Sequence, residues 1–310
     1  MPFDVSHSIL QHTKLFLVNN VAANLFIKRD DLIHPLVSGN KWRKLIYSLK
    51  HAENARFDGV LTFGGAYSNH LLATAAACNE LNLSSIGIVR GEELTEASNS
   101  LLERCAELGM ILVFVTREEY QMRDDKMYWE ELSIEYPNHY IIPEGGANYY
   151  GIIGCQEIVD EQVAAFDHVF VAQGTTTTSV GLALALPLTT TLHVVPVLKG
   201  FDSIGSMRQL LQRSAFDKEL IEDVLSRVVV HEDAHFGGYG KYTDELLTFM
   251  ESFFLETGVP VDPIYTGKVV YAIREWMLKE SMQDEKVVFI HTGGIEGGKS
   301  IANQEGKTFF

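Results

Sequence analysis

The stretch "HVFVAQGTTTTSVGLALALPL", residues 168–188, decides the fold class. Its first five residues form a Val/Phe-rich run of strand length, and a glycine and four threonines then break the run. From residue 176 the small and apolar residues suit a helix reaching residue 188. The run is continuous rather than alternating, as expected of a parallel strand covered on both faces. The same pattern repeats outward in both directions. Candidate strands lie at 25–29, 59–63, 85–89, 111–115, 139–143, 192–197, 227–231 and 286–291. Helical patterns lie at 39–55, 68–82, 97–109, 149–166, 242–256 and 265–282. This alternation predicts an α/β fold with open, mostly parallel sheets. The strand–helix units from 50 to 147 predict a small inserted α/β domain, with 1–49 and 148–310 forming the large one. The first dozen residues read as a loose end, and 117–132 as a charged helix face.

Composition narrows the function classes. The chain has 310 residues, 46% hydrophobic and 21% charged, which is ordinary for a globular protein with a sizeable core. A formal charge of −16 argues against nucleic-acid or anionic-membrane partners, which require a basic face. It leaves room for a small anionic ligand, for which a few lysines or backbone amides suffice. Cys78, Cys105 and Cys155 show no CxxC spacing and read as reduced core residues. No apolar run approaches membrane-spanning length, so a cytoplasmic protein is expected.

Glycine clusters fall at strand ends: "FGGAYSNH" (63–70), "PEGGANYYG" (143–151), "AQGTTTTSVG" (172–181) and "HTGGIEGG" (291–298). Open α/β sheets bind ligands outside the carboxyl ends of their strands, against helix N-termini. Several such turns together predict a site for an anionic cofactor, although none matches G-x-G-x-x-G or a P-loop. In "QGTTTTS", Gly174 and Thr175, Thr176, Thr177 and Thr178 offer backbone N–H groups and hydroxyls to a phosphate. The plainer reading is a threonine turn that caps its helix. Ser68 in "AYSNH" has the same two readings, as a helix cap or as a site residue beside Asn69.

"VSGNKWRKL" (37–45) places Lys41 at a helix start, after small and polar residues. Alone it reads as a solvated lysine. Beside a phosphate cradle it suits electron-sink chemistry, which needs a lysine amine, a phosphate site and a partner for a ring nitrogen. "HEDAH" (231–235) matches H-E-x-x-H, but a strand precedes it and "FGGYG" follows. The two histidines then have no helix face on which to converge, and no metal site is expected.

Taken in order, "IKRDD…SGNKWRKL", "GGAYSNH", "PEGGAN", "GTTTT", "GGYG", "DPIYTGK" and "HTGG" resemble the pyridoxal-phosphate enzymes that include 1-aminocyclopropane-1-carboxylate (ACC) deaminase and D-cysteine desulfhydrase. The resemblance runs from about residue 10 to 300. It implies the tryptophan-synthase-β-like fold, pyridoxal 5'-phosphate as cofactor, a small amino-acid substrate and a homodimer. It makes Lys41 the lysine that binds the cofactor covalently and places Lys44 near the cofactor phosphate. Asn69 falls next to the phenolic oxygen, Ser68 at the substrate, and Gly174 to Thr178 at the phosphate. The family's phosphate loop is usually richer in glycine and serine. Tyr239 and Tyr265 match its two active-site tyrosines. Thr266 matches the position facing the pyridine nitrogen, where ring-opening deaminases carry glutamate. Threonine there, and His70 in "SNH", resemble the desulfhydrase branch. D-cysteine desulfhydrase is therefore the first reading and ACC deaminase the alternative. In either case Lys41 or a tyrosine takes the α-proton.

Overall fold

The computed structural model describes residues 4–17, 22–37, 39–280 and 285–308. Ser38, the start of the chain and the last two residues of the expected helix 265–282 lie outside the described residues. In chain order the elements are β1 (Leu10–Phe16), β2 (Ala22–Lys28), α1 (Asn40–Asn54), β3 (Gly59–Gly65), α2 (Asn69–Leu81) and β4 (Ser84–Arg90). They continue with α3 (Ser100–Glu107), β5 (Met110–Val115), α4 (Arg117–Gln121), α5 (Lys126–Glu135), β6 (His139–Ile142), α6 (Tyr149–Gln156), β7 (His168–Gln173) and α7 (Thr177–Ala185). The remainder are β8 (Thr191–Pro196), α8 (Ser203–Arg213), α9 (Lys218–Ser226), β9 (Val228–Val230), α10 (Asp244–Thr257), α11 (Thr266–Glu280), β10 (Val287–Ile290) and α12 (Ile295–Glu305).

Two sheets result, as the alternation predicts. One has six strands in the order β1-β2-β10-β7-β8-β9, and the other has four in the order β5-β4-β3-β6. Every pairing is parallel except β1 with β2. The continuous apolar runs are explained by cover on both faces of the larger sheet. Phe170 and Phe289 pack to one side with Phe253, Val270 and Ile273. Their chain neighbours Val169, Val171, Val288 and Ile290 pack to the other with Ile152, Val180 and Leu211. Full burial of each such side chain contributes about 1.5–3 kcal/mol.

Some expected elements differ. The end of the first dozen residues is not loose: β1 is the antiparallel edge strand, in register with β2 from Leu10↔Lys28 to Phe16↔Ala22. Its mixed sequence "LQHTKLF" reflects an edge that pairs on one side only. The expected helix 149–166 stops at Gln156. Asp160 turns the chain there: its Oδ1 accepts from Gln162 N (3.1 Å) and Val163 N (2.9 Å), and Lys28 holds its other oxygen at 2.7 Å. Helices α8, α9 and α12 were not expected. The first two begin at the aspartate caps Asp202 and Asp217.

Candidate active site

The start of α1 is fixed from two sides. Arg43 donates to both oxygens of buried Asp30, at 3.0 Å each, and Ser8 Oγ donates to the same carboxylate. Gly39 enters with φ +61°, and a Cβ on it would sit 2.1 Å from the Thr292 carbonyl oxygen. Only glycine fits that approach between α1 and the turn after β10. Asn40, which sequence reasoning passed over, then bridges two elements. Its amide donates to Thr178 Oγ1 (2.9 Å), and its Oδ1 accepts from Lys41 Nζ (2.8 Å).

Lys41 is partly open to a pocket of about 210 Å³, whose walls include Asp31, Leu36, Asn69, Leu72 and Gly294. Burial of the amine, followed by the neighbouring Lys44 ammonium, pulls its pKa down to about 7, and Asp262 opposes the shift. The amine is thus substantially neutral near physiological pH. One turn on, Lys44 is buried, and burial brings its pKa to about 8. It donates to Thr175 Oγ1 at 3.0 Å. Among the described residues no carboxylate forms an ion pair with it.

Thr175 and Thr178 are therefore drawn to α1 by Lys44 and Asn40. Helix α7 starts at Thr177 with no side-chain cap, so the plain capping reading of the threonines does not hold. The Thr177 hydroxyl is buried without a partner. A Cβ on Gly174 would lie 3.0 Å from Tyr265 Cε1, so the tyrosine ring rests on the loop backbone. Tyr265 and Tyr239 meet edge-on with ring centroids 6.1 Å apart. Burial, then Tyr239, raises the Tyr265 pKa well above the usual value and keeps the phenol protonated.

At α2, Ser68 does cap the helix, accepting from Leu71 N at 3.4 Å, and Asn69 follows it into the Lys41 pocket. His70 is buried, with its pKa lowered to about 3 by burial and by Lys44 and Lys41. The Thr62 hydroxyl donates to the Ile142 carbonyl (2.8 Å), so the 2.9 Å contact with His70 is an Nε2–H donation to Thr62. The Nδ1 of His70 is then an acceptor, buried and without a partner.

The C-terminal ends of β3, β7 and β10 thus bring Lys41, Lys44, Ser68, Asn69, Gly174 to Thr178, Tyr239 and Tyr265 to one region. Thr266 is the exception. It is fully buried, donates its hydroxyl to Asp262 Oδ2 (2.7 Å) and accepts from Asp262 N (2.8 Å). The hydroxyl that was expected to face a ring nitrogen thus bonds within the turn that starts α11. Sequence reasoning also missed Asp262, whose oxygens receive Ile264 N, Tyr265 N and Thr266 N as well.

The two histidines of "HEDAH" do not converge. His231 Nε2 pairs with His193 Nδ1 at 2.9 Å, and His235 Nδ1 accepts from Gly237 N at 2.9 Å. No cluster of metal-binding side chains occurs among the described residues. A larger groove of about 580 Å³ lies between β1 and α10, walled by Phe16, Asp244, Phe249 and Glu256. None of the candidate residues reaches it.

The family model described as "pyridoxal-phosphate dependent enzyme" matches residues 10–293. The chain is 33% identical to a putative 1-aminocyclopropane-1-carboxylate deaminase of Pyrococcus horikoshii, over 89% of this chain and 86% of the relative. It is 34% identical to a bifunctional D-cysteine desulfhydrase/1-aminocyclopropane-1-carboxylate deaminase of Arabidopsis thaliana, over 88% and 73%. A D-cysteine desulfhydrase of Serratia proteamaculans is 28% identical, over 90% and 88%. A solved structure of an ACC deaminase homologue superposes with TM-score 0.76 at 28% identity, covering 96% of this chain and 92% of that one.

Proposed function

The chain belongs to the pyridoxal-phosphate dependent enzymes, and from that premise we propose that it catalyses β-elimination and deamination of a small amino acid. D-cysteine is the first substrate of this reading, and pyruvate, sulfide and ammonia are the products. The residues present fit the cofactor. The uncapped start of α7, the partnerless Thr177 hydroxyl and the unpaired Lys44 ammonium are what a phosphate ester would satisfy. Gly174 to Thr178 and Lys44 would hold the phosphate, and Asn69 the ring's phenolic side, with Lys41 as the point of covalent attachment. Bound there, pyridoxal phosphate supplies the electron sink for charge developing at the substrate α-carbon.

The chain's own residues would do the rest. Ser68 accepts Leu71 N and so keeps its hydroxyl proton for the substrate carboxylate at the start of α2. Lys41, with its pKa near 7, can take the α-proton as a neutral amine. Tyr265, held protonated, can give its proton to the departing sulfur, with Tyr239 beside it.

One observation favours β-elimination over ring opening: among the described residues at the site, no carboxylate is free to keep a ring nitrogen protonated. Position 266 is threonine. Asp262 is spent on the start of α11, and Asp31 at the pocket wall is bound by Arg29 at 2.8 and 2.7 Å. A weaker sink suffices when a thiolate leaves, but less readily when a C–C bond must break. The second reading is ACC deamination, which the names of the Pyrococcus and Arabidopsis relatives support. The test is 2-oxo-acid release from D-cysteine and from ACC, run side by side on cofactor-loaded protein. Pyruvate from D-cysteine alone supports the first reading. 2-Oxobutyrate from ACC would overturn the argument from unpaired acids.

The same reading makes the enzyme a cytoplasmic homodimer, to be checked by light scattering against twice 34.7 kDa. It divides the chain into a large domain, 1–49 and 148–310, and a small one, 50–147. The confinement of β3 to β6 to one sheet supports that division.

A further inference from the structure

Lys268, which closes the "YTGK" motif, has no part in the chemistry above, yet it is among the largest fully buried side chains of the protein. It lies in the first turn of α11, three residues after Tyr265. Its ammonium donates to the His235 carbonyl at 2.9 Å and to the Gly238 carbonyl at 3.0 Å. Each of these carbonyls already closes a turn: His235 O receives Gly238 N (3.1 Å), and Gly238 O receives Lys241 N (3.2 Å). One ammonium therefore ties two consecutive turns to α11, and Tyr239 sits at the head of the second. The loop needs such a tie. Phe236, Gly237, Gly238 and Gly240 all have positive φ, at +52°, +93°, +118° and +68°, so little regular structure holds it in place.

Burial is costly for this lysine. It brings the pKa down to about 8, with Asp262 as the opposing charge. A methionine would fill much the same space without burying an ammonium, but it could not bind two carbonyls. Among the described residues Lys268 also makes no ion pair, so its charge is directed at the loop.

We propose that Lys268 is a positioning residue: it clamps the double turn 235–241 to α11 and thereby sets Tyr239 against Tyr265 over the substrate, without itself touching substrate or cofactor. The proposal rests on the reading of the two tyrosines as active-site groups.

The test combines a double-mutant cycle with hydrogen exchange on cofactor-loaded enzyme. Lys268→Met, Tyr239→Phe and the double variant are compared for kcat and KM with D-cysteine. Cofactor attachment at Lys41 is checked by mass spectrometry after borohydride reduction. Each single variant is expected to lose about tenfold in kcat/KM, and the double variant no more than Tyr239→Phe alone, because contacts acting through one group are non-additive. Exchange at 236–241 should quicken in Lys268→Met while that of β7 and β8 stays unchanged. Additive losses, unchanged exchange in the loop, or wild-type kinetics in Tyr239→Phe would each overturn the proposal. Should Lys268→Met fail to fold, Lys268→Gln, with a shorter amide donor, is read in the same way. Wild-type protein that takes up no cofactor or releases no 2-oxo acid would sink the functional reading instead, and loop exchange then decides the clamp alone.

Discussion

Lys44 offers a perturbation whose effect on stability differs between the cofactor-free and cofactor-bound protein. In the free protein its ammonium is buried with one hydroxyl partner, Thr175, and burial lowers its pKa from 10.5 to about 8. A depression of that size corresponds to about 3 kcal/mol of stability withheld from the folded state wherever the lysine is charged. Replacing it by methionine removes that cost and forfeits about 1 kcal/mol for the hydrogen bond. Cofactor-free Lys44→Met should therefore be about 2 kcal/mol more stable than wild type in urea unfolding near pH 7. The pH dependence follows from the direction of the shift. The folded-state pKa is depressed, so wild type recovers stability as pH rises from about 8 to 10.5, and the gap between the proteins closes there. With cofactor present the advantage should be cancelled or reversed, since a charged hydrogen bond to phosphate worth about 1.5–3 kcal/mol is lost. Inorganic phosphate should likewise raise the urea midpoint of wild type and leave that of Lys44→Met nearly unmoved. Lys44→Met being no more stable than wild type at neutral pH, or equal stabilisation of both by phosphate, would refute the assignment of Lys44 as a charge kept for an absent anion.

Other consequences can be checked separately. His70, His193 and His231 are held neutral, with pKa values lowered to about 3, 2 and 4, in each case chiefly by burial. The unfolded chain binds protons at these sites below about pH 6.5. The contribution of these histidines should therefore be level above that pH and fall by up to about 1.4 kcal/mol per unit per histidine down to about pH 4. Urea midpoints equal at pH 7.5 and 5 would contradict this. Lys41→Ala should lower 2-oxo-acid release roughly a thousandfold or more and abolish the borohydride-fixed cofactor. Turnover near the wild-type rate would remove Lys41 from its role. Gly39→Ala forces a Cβ to within 2.1 Å of the Thr292 carbonyl at φ +61°, and should cost about 3 kcal/mol or more in thermal or urea unfolding. An unchanged melting temperature would mean that the α1 entry can relax.

The parts of the fold that were legible are those where one physical demand dominates. Strands covered on both faces must be apolar throughout, so β3, β7 and β10 stand out in the sequence. Edge strand β1 meets no such demand and does not. Helix α6 ends early because Asp160 is recruited by Lys28 from a strand 132 residues away, a contact that no local periodicity contains. The site divides the same way. The meeting of Lys44 with the threonine loop was legible because an anion cradle requires particular residue types at a strand end. Thr266 is harder to read because its residue type fits two environments, a ring nitrogen and a helix start. The second environment is set by Asp262, four residues earlier, whose carboxylate accepts a hydrogen bond from the hydroxyl at 2.7 Å. The bond from Thr266 to Asp262 does not reverse the preference for β-elimination. That preference requires only that no free carboxylate among the described residues face the ring nitrogen, and Asp262 is engaged elsewhere: it collects three backbone N–H groups and the Thr266 hydroxyl, which together fill its acceptor sites.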